Sequence, residues 1–333
     1  MSQILKLFTC LIFLCSSSLL GQTQISGRIL SAVDSLPLSG VSIYFDGTSI
    51  GVASGNDGSF IIKTENSLSS TLIINALGYK TKFIQDHLGK QDLGLIFLEE
   101  SRENLEEVYL ETDPWSQKKK LEIFKKEFLG NTPAALQCTI KNEDAVKLRY
   151  IPSTETLVAY AEVPLTIVNR YLGYEVTYNL TNFKAEFNSP NGLRYTRSVY
   201  FEGYSFFKEL RKKPSKRFLA NRESTYRGSS LHFLRALGSQ NLWENGFRIF
   251  YDKYEVLPYS YFSITRGGDL TEVELQKENL TIVYGPLIQS SIYADGKFYI
   301  DRNGNFSPPQ SVIFGGEMAT SRVALMLPLN YNL

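Results

Sequence analysis

Gly47-Thr48-Ser49-Ile50-Gly51 fits G-x-S-x-G, the pattern that holds the nucleophilic serine of many hydrolases. That chemistry needs a strand before the serine, a helix after it, and a histidine–acid pair within reach. A strand pattern, Val41 to Phe45, does precede it. The next residues, Val52-Ala53-Ser54-Gly55-Asn56-Asp57-Gly58, do not start a helix, and another strand pattern comes after them. The segment is therefore expected to be a glycine corner between two strands.

The remaining candidates for chemistry are few. The chain has two histidines, His87 before Leu88-Gly89-Lys90 and His232 before Phe233-Leu234-Arg235, and neither forms an H-x-x-E pair. A catalytic zinc site of two histidines and a glutamate is not encoded in that way. Cys138 beside His232 would make a thiol nucleophile and base, but no signature surrounds it, and a small buried hydrophobe is the expectation. Asp301-Arg302-Asn303-Gly304-Asn305 places oxygen ligands at alternate positions, as a calcium loop does. Phe306 stands where that loop needs glycine and Val312 where it needs glutamate, so a hairpin is expected. A pair of carboxylates suited to glycoside hydrolysis stays open among the 34 acidic residues, because such a pair has no sequence spacing. No catalytic residue, metal or cofactor is expected from these motifs.

One stretch is electrostatically distinct. Between residues 208 and 235 lie Lys208, Arg211, Lys212, Lys213, Lys216, Arg217, Arg222, Arg227 and Arg235 against only Glu209 and Glu223, with Phe206, Phe207, Phe218 and Tyr226 interleaved. The choice is between a ligand-binding patch and a solvated face with arginines paired elsewhere. The net charge of the whole chain is +1, so attraction to a polyanion would be local.

Composition and pattern define the secondary structure that carries these residues. With 43% hydrophobic and 21% charged residues over 333 positions, the chain reads as globular, long enough for two domains. Residues 1–21 read as a signal peptide: Lys6, an apolar run from Leu7 to Cys15, then small residues to Gly21. That run is shorter than the roughly 20 residues of a membrane span. Export would leave Cys138 as the lone cysteine of the mature chain, so the fold must rely on its core. From Ile25 to Leu98, short β-branched runs alternate with Asp46-Gly47 and Asn56-Asp57-Gly58 turns, predicting a β-sandwich. Asn104 to Glu111 reads as one more strand.

Next, Asp113 is expected to cap a helix with Pro114 in its first position. Leu121, Phe124 and Phe128 line one face, Lys118, Lys119, Lys120, Lys125 and Lys126 the wet side, and Gly130 ends it. Beyond Gln137, alternation such as Tyr174, Val176, Tyr178 and Leu180 predicts strands, with hairpin turns at Asp295-Gly296 and Asn303-Gly304. Helices are expected at Ser230 to Asn245, weakened in the middle by Gly238, and at Glu317 to Leu327.

Ile25-Ser26-Gly27-Arg28-Ile29, Leu36-Pro37-Leu38-Ser39-Gly40-Val41, Gly47-Thr48, Gly58-Ser59-Phe60 and Leu77-Gly78-Tyr79-Lys80 together resemble the carboxypeptidase regulatory-like domain. The resemblance covers about residues 24–100 and implies a seven-stranded, transthyretin-like sandwich, common in exported proteins of the Bacteroidetes type. In relatives the module sits beside peptidases or ahead of TonB-dependent outer-membrane receptors, so it implies a context rather than an activity. A 22-stranded receptor barrel would use up or exceed the remaining chain.

The expectation is a mainly β protein: signal peptide 1–21, regulatory-like sandwich 22–100, strand and linking helix 101–130, and a β-rich domain 131–333 with two or three helices. Its expected role is non-catalytic binding or scaffolding in a Gram-negative envelope, periplasmic, outer-membrane associated or secreted. The alternative is a hydrolase, or an accessory protein of a peptidase, with an unrecognised carboxylate site in residues 131–333. A small outer-membrane barrel formed by the second half is a third possibility. Expected partners are an envelope protein or an anionic glycan or lipopolysaccharide, with no nucleic acid and no transmembrane helix in the mature chain.

Overall fold

The computed structural model describes residues 23–64, 70–101, 111–189, 194–286 and 288–332. The expected signal peptide lies outside them, as does nearly all of the strand expected at 104–111.

Among the described residues, seven short strands come first: β1 (Thr23–Ser31), β2 (Ser42–Phe45), β3 (Gly51–Ala53), β4 (Ser59–Thr64), β5 (Leu72–Asn75), β6 (Lys82–Ile84) and β7 (Asp92–Leu98). They form two sheets, ordered β4-β1-β7 and β3-β2-β5-β6, with β1 and β7 parallel and the other pairings antiparallel. Period-2 alternation explains the sandwich. Phe60 and Ile62 on β4 turn inward to meet Ile25, Ile43, Phe45 and Ile74, while Ser59, Ile61 and Lys63 face water.

The linking helix α1 (Gln117–Leu129) forms as the apolar spacing predicts, and Gly130 ends it. Its cap differs from expectation. Ser116 accepts the Lys119 N–H, and Asp113 stands just outside, taking the N–H groups of Trp115 and Tyr150 and pairing with Lys120 at 2.7 Å. Lys120 is thus buried, 8% exposed, and belongs to the packed side rather than the wet one. Phe124 and Phe128 cover Phe183, Tyr178 and Phe201 edge-on.

Those rings rise from a six-stranded open sheet: β8 (Cys138–Ile140), β9 (Val146–Ile151), β10 (Thr156–Ala161), β11 (Leu165–Asn169), β12 (Tyr174–Asn188) and β13 (Tyr195–Glu209). One half of β12 pairs with β11 and the other with β10, while its opposite edge pairs with β13 along its whole length. A bulge between Leu180 and Asn182 shifts the alternation, so that Tyr174, Val176, Tyr178 and Leu180 before it and Phe183, Ala185 and Phe187 after it all face the core.

Two helices come next in the chain. α2 (Lys216–Tyr226) has no counterpart among the expected helices, because its only buried side chains are Phe218 and Arg222 and the apolar period is nearly absent. α3 (Ser230–Gly238) is shorter than expected; Gly238 ends it instead of interrupting it. Phe233, Leu234 and Leu237 of α3 enter a second core.

That core is closed by two further open sheets. β15 (Tyr254–Val256), β14 (Phe247–Tyr251), β18 (Asn279–Tyr284), β19 (Ile288–Ala294) and β22 (Val312–Gly316) make one. β16 (Phe262–Gly267), β17 (Leu270–Leu275), β20 (Lys297–Asp301) and β21 (Phe306–Ser307) make the other. Asp295-Gly296 joins β19 to β20 across the two sheets, so it is a corner between layers and not a hairpin. Asn303-Gly304 does turn the β20–β21 hairpin. The last expected helix is a single turn, α4 (Glu317–Thr320), plus a 3-10 turn Val323–Leu325.

Candidate functional site: a docking turn and a basic tip

The G-x-S-x-G residues turn the β2–β3 hairpin and carry that turn onto another part of the molecule. The Gly47 N–H donates to Ser205 O at 2.8 Å, and the Phe207 N–H donates to Thr48 O at 2.9 Å, a short parallel bridge onto the outer edge of β13. The Leu329 N–H donates to Gly47 O at 2.7 Å. Ser49 is taken up by Asn330: its N–H donates to Asn330 Oδ1 at 3.0 Å, and its hydroxyl accepts from Asn330 Nδ2 at 2.9 Å. The ring of Tyr44 lies 5.2 Å from that of Phe206, Phe83 lies 4.6 Å from Tyr204, and Asn179 donates to the Tyr44 hydroxyl at 2.7 Å.

The glycines permit this approach. Gly47 has φ +71°, and a Cβ there would stand 2.7 Å from Leu329; a Cβ on Gly51 would stand 2.7 Å from Phe206. The motif is a seat for backbone contacts, and the Ser49 hydroxyl in it is engaged by Asn330. Ser49→Ala is expected to change stability by no more than about 1 kcal/mol, the worth of an exposed hydroxyl hydrogen bond, and to leave any ester hydrolysis by the chain at its wild-type level. Denaturant unfolding and a chromogenic ester assay check this.

Neither histidine is placed to activate Ser49. His87 Nε2 donates to Ser70 O at 2.8 Å, with the ring against Phe45. His232 accepts the Gly228 N–H on Nδ1, meets Asn245 Oδ1 through Nε2, and is ringed by Tyr226, Phe247 and Tyr284. Burial holds its pKa below the ordinary imidazole value. Cys138 lies half-buried on β8 against Ala134 O, and burial pushes its thiol up to about 12, so it stays protonated. Asp301 accepts the N–H groups of Asn303 and Asn305, which uses one of its oxygens to form the hairpin. Among the described residues no group of three or more His, Cys, Asp or Glu side chains is placed to hold a metal ion.

The nine cations of 208–235 divide by burial. Arg222 is buried: Nη1 and Nη2 each reach a Glu209 carboxylate oxygen at 2.8 Å, Nε donates to Leu172 O at 2.8 Å, and the guanidinium lies 3.8 Å over the Tyr174 ring. Arg235 gathers three carbonyls, Asn303 at 2.9 Å and Leu329 and Tyr331 at 2.7 Å, which fixes the 329–331 segment that meets the docking turn. Arg227, just past the end of α2, pairs with Glu223 one turn back and stays exposed. Arg222 and Arg235 are committed to the fold, and Arg227 is neutralised in a surface ion pair.

The other six, Lys208, Arg211, Lys212, Lys213, Lys216 and Arg217, are exposed and form no ion pair among the described residues. They cluster where β13 ends and α2 begins. Arg211 and Arg217 both lie within 6 Å of the Phe218 ring, and Arg217 donates to Arg170 O, which brings the exposed Arg170 alongside. Composition alone could show neither Arg170's membership nor the withdrawal of Arg222, because both depend on contacts across the fold.

The CarboxypepD_reg-like domain family matches residues 25–110. The N-terminal module is a carboxypeptidase regulatory-like domain, and its seven described strands are the sandwich expected of it. No curated protein matches the chain. Among solved structures, the crystal structure of a 9R-lipoxygenase from Cyanothece PCC8801 is similar at 9% identity, covering 69% of this chain and 49% of that one, with a TM-score of 0.19. The chain thus spans about half the length of that structure. The family match ends before α1.

Proposed function

We propose that the chain is an exported, non-catalytic binding protein of a Gram-negative envelope, with residues 22–100 and 131–333 as its two working parts. The regulatory-like sandwich acts as a docked support, and the basic tip of Lys208, Arg211, Lys212, Lys213, Lys216 and Arg217 contacts an anionic glycan or lipopolysaccharide. The observation that carries this reading is the cluster of six exposed cations that form no ion pair among the described residues. Like charges held together repel one another, and a polyanion relieves that repulsion. The occupied Ser49, the buried, hydrogen-bonded histidines and the protonated Cys138 support a role without covalent chemistry. Among the described residues no helix is long and apolar enough to cross a membrane.

The test is capture from envelope extracts by the full chain, wild type beside Arg211→Glu, Lys212→Glu and Lys213→Glu combined. The reading expects lipopolysaccharide or glycan recovered with wild type and lost with the variant. Identical recovery from both proteins would refute it.

A further inference from the structure

The docking turn brings a carboxylate into the junction. Asp46 Oδ1 accepts the Ser205 N–H at 2.8 Å, and no ion pair reaches the carboxylate among the described residues. The titratable groups around it are acids. Tyr44 comes from β2, Tyr178 from β12 and Tyr204 from β13; burial and the Asp46 charge hold all three phenols protonated, and Glu202 of β13 acts on the last two. The 329–331 segment brings the neutral Asn330, and Tyr331, which turns to Glu223. His87 lies on the sandwich side, under Phe45, bonded to Ser70 O. An anion in this position loses its water when the junction closes and regains it when the junction opens.

We propose that the junction is an acid-tightened clasp: proton uptake by Asp46 strengthens docking of the sandwich onto β13 and the 329–330 segment, and proton loss loosens it. Burial pushes Asp46 up to about 6, whereas in water an aspartate titrates near 4. The closed form therefore binds the proton more tightly than the open form. Its advantage is full below about pH 4 and is lost as pH rises through about 6. Linkage makes the closed-to-open ratio roughly tenfold larger at pH 5 than at pH 8.

Amide hydrogen exchange on the full chain tests this, with intrinsic exchange rates divided out. The reporters are the Gly47, Phe207 and Leu329 N–H groups, whose partners lie across the junction. Protection of all three should be about tenfold higher at pH 5 than at pH 8. In Asp46→Asn, which keeps the oxygen acceptor and removes the titration, the difference should vanish. Flat protection in the wild type, or an equal pH dependence in Asp46→Asn, overturns the proposal. The wild-type profile is decisive even where the variant does not fold.

Discussion

Arg222→Ala is expected to lower unfolding stability by about 3–5 kcal/mol, the loss found when one partner of a buried, hydrogen-bonded ion pair is removed. The side chain of Arg222 is 4% exposed and that of Glu209 36%, so most of the loss comes from the cavity and from the Leu172 carbonyl left without its donor. Water at Glu209 softens the electrostatic part. Lys212→Ala and Lys213→Ala touch nothing buried and should each stay within about 0.5 kcal/mol of wild type. Urea unfolding of the three variants separates structural cations from free ones. A loss at Lys212 comparable to that at Arg222 would erase the division of the basic run.

The second large effect is expected at the docking turn. Gly51→Val should weaken the junction by about 3 kcal/mol, at the upper end of what overpacking costs. A Cβ there meets Phe206 at 2.7 and 2.9 Å and Tyr44 Cβ at 2.9 Å. A ring can turn aside, but a Cβ on the paired strand cannot. Gly40 is the control, with φ +70° and nothing within 4 Å of an added Cβ, so Gly40→Ala should cost only about 1–2 kcal/mol of backbone strain. The expected signature for Gly51→Val is lost protection at the Gly47, Phe207 and Leu329 amides and along the β2–β3 hairpin that holds Tyr44, while exchange in the β4-β1-β7 sheet stays near wild type. Unchanged protection at those amides would mean that the turn does not hold the two parts together.

The N-terminal sandwich was legible because its evidence is local. Alternation along β4, glycine turns and the order of motifs lie within about 75 residues of one another. The docking role of Gly47 to Gly51 was not legible, because Ser49 meets Asn330 across 281 positions and the partner edge at Ser205 is also remote in sequence. Charge counting locates the basic run but cannot sort it, since Arg222 and Glu209 look like any lysine and glutamate on a wet face until Leu172 and Tyr174 cover them. α2 escapes because a helix held by one phenylalanine and one buried arginine leaves little periodicity. The stretch expected as one β-rich region carries two cores, and the corner at Asp295-Gly296, which joins the two sheets of the second core, has the same composition as a hairpin turn.

A scaffold that presents its cationic tip to a polyanion should bind immobilised lipopolysaccharide as the full chain, with an affinity that depends on salt. Wild type is compared with the combined Arg211→Glu, Lys212→Glu and Lys213→Glu variant. Each cation near an anionic surface is worth about 1 kcal/mol, so reversing three should weaken binding at least about 100-fold at low salt. Wild-type affinity should also fall steeply as screening shortens the reach of the charges. Equal affinity of the two proteins, or wild-type binding indifferent to salt, would contradict the account.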